Sequence, residues 1–213
     1  MRILVASDLS GWARTESALL SLNVVPGTSV RLLGLDPEAS RSVELSRLLD
    51  RQGALSARGL EVERTIGHGR PADEITEEAA SWRADLVVAG GPATGMRAGG
   101  VAAEVVLRSP VPLLVARSDR FRTLLVADDG SAGARDAARF VGASGLFTGT
   151  RCCVATVTET GRTGYLPREM EARLAAGARI AERARAALAG AGLTPEVLLP
   201  AEREVDEALI GTA

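Results

Sequence analysis

The stretch VVAGGPATGMRAGGVAAEVV, Val87 to Val106, decides how this chain folds. It opens on an apolar run, passes through Gly90, Gly91, Gly95, Gly99 and Gly100, and closes on Ala102, Val105 and Val106 at helical spacing. A strand that ends in glycines and leads into a helix is a strand-to-helix turn of a parallel α/β sheet. Backbone N–H groups at such a helix start point at whatever lies in front of it, and the helix dipole favours an anion there. The same glycines also suit a tight connection that needs positive φ. The residues alone leave both readings open.

Working outward, each neighbouring segment continues the alternation. GRPADEITEEAASW precedes the strand ADLVVAG: Pro71 suits a first helical position, and Ala72, Ile75, Ala79 and Trp82 fall on one helix face. Beyond the helix that carries Ala102, Val105 and Val106 lies the strand VPLLVAR, Val111 to Arg117. Toward the N-terminus, ILVASDLS (Ile3 to Ser10) leads into a helix over Trp12 to Leu22 and then the strand SVRLLGL. A helix follows with Leu45, Leu48, Leu49 and Leu55 at helical spacing, and then the third strand in RGLEVER. Strands that are nearly unbroken apolar runs, separated by helices, make a parallel sheet covered on both faces. Right-handed crossovers take strands two and three to one side of strand one and strands four and five to the other. A topological switch therefore lies between strands one and four, where ligands of such sheets bind. The carboxyl ends of those two strands carry Asp8 and the glycine stretch.

The pattern then repeats. LLVADDGS, Leu124 to Ser131, matches ILVASDLS; a helix over Ala134 to Val141 and the strand TRCCVATV follow. Next comes a helix with Met170, Leu174, Ala181, Ala184 and Leu188 at helical spacing, ending at a glycine in AGLTPEV as the earlier one does in RGLEVER. The second copy is longer by about a dozen residues around TETGRTGYLPRE and reaches EREVDEALIGTA without a fourth strand or a glycine loop. The expected domains are residues 1–118, a complete unit, and 119–213, a copy truncated at its C-terminal side. A sheet that stopped at the equivalent of strand one would leave an apolar edge at Leu124 to Asp128, so that edge is expected to be covered by the other domain or another subunit. Asp129, Gly130 and Ser131 read as turn and helix cap, because their half lacks the switch.

Composition excludes several classes. The 213 residues are 46% hydrophobic and 24% charged with a formal net charge of -2, which fits a globular protein and gives nucleic acid no basic surface. No apolar run approaches the roughly 18 residues of a membrane span, and MRILVASDLS reads as a first strand and not a signal peptide. The cysteines, Cys152 and Cys153, are adjacent in a strand and point to opposite faces, which suits neither a bridge nor a metal site and fits a reducing cytoplasm. His68, the single histidine, stands in a GHGRP turn with no partner for catalysis. Asp73, Glu74, Glu77 and Glu78 read as a first helical turn and a solvated face, not a metal cluster. Trp12 and Trp82 read as packing residues. For Asp8 the residues support either a helix cap, a role Ser10 fills equally well, or a ligand contact.

RILVASDLS, GHGRPADEITEEAASWRADLVVAGG and GGVAAEVVLRSPVPLLVAR together resemble the universal stress proteins in a tandem two-domain arrangement. The resemblance implies an adenine nucleotide alpha hydrolase-like fold: a doubly wound parallel five-stranded sheet of order 3-2-1-4-5, with a second, incomplete copy of the unit. It also implies a role in stress response, dimers formed through fifth strands, and ATP binding in some members. In those members the Asp after strand one and an apolar residue ending strand two hold the adenosine, and Asp8, with Ser10 near it, and Leu35 match them. A glycine loop that ends in Gly-Ser or Gly-Thr holds the triphosphate. Gly90 matches its first glycine and Gly99 its last, and Val101 opens the helix that follows. Ala93 stands where the second glycine belongs, Gly100 replaces the hydroxyl residue, Pro92 lacks an N–H, and the loop is about four residues short. Gly91 and Gly95 keep the backbone free to turn, and Arg97 is the one basic side chain near.

These readings together lead us to expect a non-enzymatic cytoplasmic regulatory protein, a homodimer, with an ATP crevice (Mg²⁺ accompanying the nucleotide) whose grip on the triphosphate is impaired. The alternative is a dimerisation or interaction module that binds no nucleotide. An enzyme that cleaves ATP ranks last, because the S-G-G-x-D-S loop expected after strand one is missing.

Overall fold

The structure is a computed structural model and describes residues 1–7, 12–35, 41–91, 100–118, 121–158 and 167–199. The chain forms two compact units, Met1–Arg120 and Phe121–Ala213.

In the first unit the strands are β1 (Arg2–Ser7), β2 (Ser29–Gly34), β3 (Glu61–Ile66), β4 (Leu86–Gly90) and β5 (Leu113–Ala116). They form one parallel sheet in the order β3-β2-β1-β4-β5. This is the sheet order that the sequence and its resemblance led us to expect. Between the strands run α1 (Trp12–Ser21), α2 (Arg41–Ser56), α3 (Pro71–Ser81) and α4 (Val101–Arg108). Central β1 is covered on both faces, which is why Ile3, Leu4 and Val5 are fully buried in an unbroken apolar run. On one face Leu4, Ala6, Leu33, Val87 and Ala89 pack with Ala72, Ile75 and Ala79 of α3 and Val105 of α4.

Local chemistry fixes where the helices start and stop. Pro71 is the first residue of α3, as its missing N–H permits, and the Glu74 carboxylate reaches back to accept from the Gly69 N–H at 2.7 Å. Two ion pairs tie α3 to α4: Asp73 with Arg108 at 2.5 Å and Arg70 with Glu104 at 3.2 Å. Gly59, at φ 81° just past α2, is the expected helix stop, and its counterpart in the second unit, Gly192, has φ 79°. The helical stripes are narrower than the sequence suggests. Leu48 and Leu55 are buried but Leu49 is 46% exposed, and Val105 is buried but Val106 is 51% exposed. A run of neighbouring apolar residues spans more of the helix circumference than the sheet can cover.

The second unit has a three-stranded parallel sheet, β6 (Thr123–Ala127), β7 (Arg151–Ala155) and β8 (Glu196–Leu198), in the order β6-β7-β8, with β6 at one side of it. Its helices are α5 (Ala132–Ser144) and α6 (Pro167–Ala189). Val126, Cys152 and Val154 pack against Ala138 of α5 and Ala181, Ala184 and Leu188 of α6, while Leu174 is 41% exposed. Both thiols are buried and unbridged, and burial pushes the Cys152 thiol up. EREVDEALIGTA, apart from its shared sequence pattern, lies outside the described residues.

Candidate functional site

The switch between β1 and β4 puts two strand ends side by side, with Ala6 paired to Ala89 one residue short of each end. α1 crosses over them, and its buried stripe is Trp12, Thr15, Ala18 and Leu19. The approach is close enough to dictate residue type: a Cβ on Gly90 would stand 3.2 Å from Thr15 Oγ1 and 4.0 Å from Ser7 Oγ. Ser7 and Thr15 are both buried, so the space between α1 and the ends of β1 and β4 is polar and enclosed.

Gly91 is tied into the sheet. Its N–H donates to Ala116 O at 3.1 Å and its carbonyl accepts from Arg14 Nη1 at 3.0 Å. A Cβ there would lie 2.6 Å from Val115 Cγ1. The N–H of Gly91 is thus held by β5 and not directed at the crevice. Neither Gly90, Gly91 nor Gly100 has a positive φ. Close packing, not a left-handed turn, is what Gly90 and Gly91 answer to.

Gly100 is the N-cap of α4 with an extended backbone, φ -76° and ψ 157°, and its carbonyl accepts from Ala103 N and Glu104 N. Any residue adopts that conformation, so the missing hydroxyl is a matter of side-chain chemistry alone. Val101, 43% exposed, begins the helix. At a helix start the first N–H groups lack intrahelical acceptors, and here they belong to Val101 and Ala102. Leu35 follows β2, is buried in the α3-side core, and lies where a Cβ on Gly67 would come within 3.0 Å of its Cδ2. Asp8, Ser10, Gly95 and Gly99 lie outside the described residues, as do Pro92, Ala93 and Arg97. One feature of the site has no sequence signal. The Trp12 indole Nε1 is buried and has no hydrogen-bond partner among the described residues.

Several other polar groups singled out from the sequence have structural partners. The Arg108 guanidinium hydrogen-bonded to Asp73 holds that carboxyl below the usual carboxylate range. In the second unit Asp128 Oδ1 accepts from Gly130 N at 2.7 Å, Asp129 Oδ1 accepts from Ser131 N at 2.8 Å, and Ser131 Oγ caps α5 by accepting from Ala134 N. The Ser131 hydroxyl and N–H hold the Asp129 carboxyl low. This is a turn followed by a cap. His68 is exposed, and Trp82 packs beside the α3-side core with the Arg31 guanidinium 4.7 Å from its ring centroid. Among the described residues no three His, Cys, Asp or Glu side chains cluster to hold a metal, and no helix is long and apolar enough to cross a membrane.

A five-stranded parallel sheet of order 3-2-1-4-5, with Ser7 and Gly90 at the carboxyl ends of the two strands that flank the switch point, defines a doubly wound α/β protein. The universal stress protein family model matches residues 12–117, and through this first unit the chain belongs to that family. Among solved structures, a universal stress protein from Archaeoglobus fulgidus DSM 4304 aligns over 99% of this chain and 80% of its own at a TM-score of 0.62 and 20% identity. The universal stress protein from Archaeoglobus fulgidus in complex with dAMP aligns over 54% of this chain and 96% of its own, at a TM-score of 0.40 and 24% identity. No curated protein matches the chain significantly.

Proposed function

We propose that the chain is a regulatory, non-enzymatic protein of the cytoplasm whose first unit holds an adenine nucleotide at the carboxyl ends of β1 and β4. The observation that carries this reading is the convergence there of Ser7, Gly90 and the start of α1, with α4 beginning at Gly100 and Val101. Such a place offers a nucleotide an enclosed polar end and a helix N-terminus for its phosphates. Asp8 and Leu35 are the residues assigned to the adenosine, and the glycine segment to the phosphates. The grip on the triphosphate is weak, since Gly100 has no hydroxyl, Pro92 no N–H, and the Gly91 N–H is bound to Ala116 O. Mg²⁺ would arrive with ATP. We assign residues 1–118 and 119–213 as domains and the chain to a homo-oligomer, most simply a dimer.

A second reading has its own support. Gly90 and Gly91 are both accounted for by packing against Thr15 and Val115. This favours an interaction module with no nucleotide. The two readings separate in one experiment. Nucleotide is sought in the supernatant of freshly purified, denatured protein, and melting is followed with and without ATP and Mg²⁺. A ligand at 100 times its Kd stabilises by about 2.7 kcal/mol, so a raised melting temperature is expected. Neither released nucleotide nor a shift at millimolar ATP would leave the interaction module standing.

A further inference from the structure

Trp12 begins α1, and α1 runs back along the sheet against the direction of the strands, since it follows the end of β1 and precedes the start of β2. Its sheet-facing stripe is located by Thr15, whose hydroxyl abuts Gly90 at the end of β4. Trp12 lies on the same stripe one turn earlier, about 4.5 Å further toward the carboxyl side at 1.5 Å per residue. Helical side chains tilt toward the N-terminus, which carries the indole further still, past the last residues of β1 and β4. Arg14, in the same turn, reaches Gly91 O, which confirms that the first turn of α1 overlies the continuation of β4. The indole therefore lies at the carboxyl-end side of β1 and β4, enclosed by the protein.

The indole is buried to 4% exposure and its Nε1 has no acceptor among the described residues. An indole N–H is a donor only, and a buried donor left unmet weighs against folding. Phe would fill most of the same space without that penalty. The start of α1 adds the positive end of a helix dipole, and its first turn holds no acidic residue to neutralise it. A donor-only group beside a helix N-terminus selects an anionic oxygen. The glycine segment, meanwhile, has lost donors: the Gly91 N–H is bound to Ala116 O, and Gly100 brings no hydroxyl.

We infer that Trp12 is a ligand-binding residue whose indole N–H donates to a phosphate oxygen of the nucleotide held at the carboxyl ends of β1 and β4. The inference rests on the nucleotide reading above and adds to it a contact from the α1 side of the crevice. It also sets ligand preference, because adenosine has no phosphate for the indole to meet.

The test uses the full chain and two ligands, ATP with Mg²⁺ and adenosine, titrated calorimetrically into the wild type and Trp12→Phe. Weakening of ATP binding by about tenfold or more, the size of a hydrogen bond to a charged group, with adenosine binding unchanged, supports the assignment. Unchanged ATP binding overturns it. Equal loss of both ligands also overturns it, since the residue then acts through the fold. If the wild type binds adenosine but Trp12→Phe fails to fold, the indole N–H resonance of Trp12 decides, assigned by its persistence in Trp82→Phe. A downfield shift with ATP and not with adenosine supports the contact, and no shift with ATP rejects it. A wild type that binds neither ligand defeats the nucleotide reading itself, and the inference falls with it.

Discussion

A single methyl group at Gly91 tests whether the end of β4 is shaped by packing. The Cβ of Gly91→Ala would stand 2.6 Å from Val115 Cγ1, 3.3 Å from Arg117 Cγ and 3.6 Å from Ala116 O. The first distance is roughly 1 Å inside ordinary carbon contact, which lies near 3.5–4.0 Å. Val115 is β-branched and stiff at χ1, so relief requires β5 to move, and the Gly91 N–H bond to Ala116 O moves with it. Overpacking of this kind costs about 1–3 kcal/mol. For a unit of this size that lowers the melting temperature by roughly 4–12 °C. Both tryptophans, Trp12 and Trp82, lie in the first unit, so tryptophan fluorescence during urea or thermal unfolding reports on that unit alone. Gly53→Ala is the matched control: the position is in α2, an added Cβ meets nothing within 4 Å, and a helical Gly→Ala change stabilises by about 0.5–1 kcal/mol. Gly91→Ala unfolding at the wild-type midpoint would show that contact with Val115 does not shape the end of β4.

Two further changes probe other parts of the structure. Asp73 is held low by Arg108, so its contribution is present above the unfolded carboxylate pKa and is lost as pH falls through the lower folded value. Asp73→Asn should therefore be less stable than wild type at neutral pH and indistinguishable from it in strong acid, a convergence readable from urea midpoints at several pH values. Ser131→Ala removes the side-chain cap of α5 and should cost the second unit about 1 kcal/mol, measured by calorimetry, with the tryptophan-detected transition of the first unit unmoved.

The features of the fold that were legible in the sequence are those set by neighbours in the chain. Pro71 marks a helix start because its own ring excludes an N–H, and Gly59 and Gly192 mark helix stops because each itself takes the left-handed conformation there. The crossover rule then gives the hand of each strand-helix-strand connection, and the resemblance to the universal stress proteins supplies the order 3-2-1-4-5. What escaped depends on approach between distant segments. Val106, Leu49 and Leu174 satisfy helical spacing yet are exposed, because spacing does not say how wide a stripe the sheet covers. Gly91 reads as a loop glycine, but its N–H belongs to Ala116, twenty-five residues on, and only the seating of β5 reveals this. Trp12 reads as packing, and it does pack; that its N–H lacks a partner among the described residues is visible only in the folded structure.

The nucleotide site proposed for the first unit holds phosphate weakly because of specific losses, and Gly100→Ser reverses one of them. The backbone at Gly100, φ -76° and ψ 157°, accepts serine, and a serine N-cap is itself slightly favourable over glycine. Calorimetric titration of ATP with Mg²⁺ into the wild-type chain and Gly100→Ser compares the two directly. The wild type should show saturable but weak binding and Gly100→Ser should bind about tenfold or more tightly, the gain from one hydroxyl bonded to a charged oxygen. The same Kd in both proteins, or no binding by either, would contradict it.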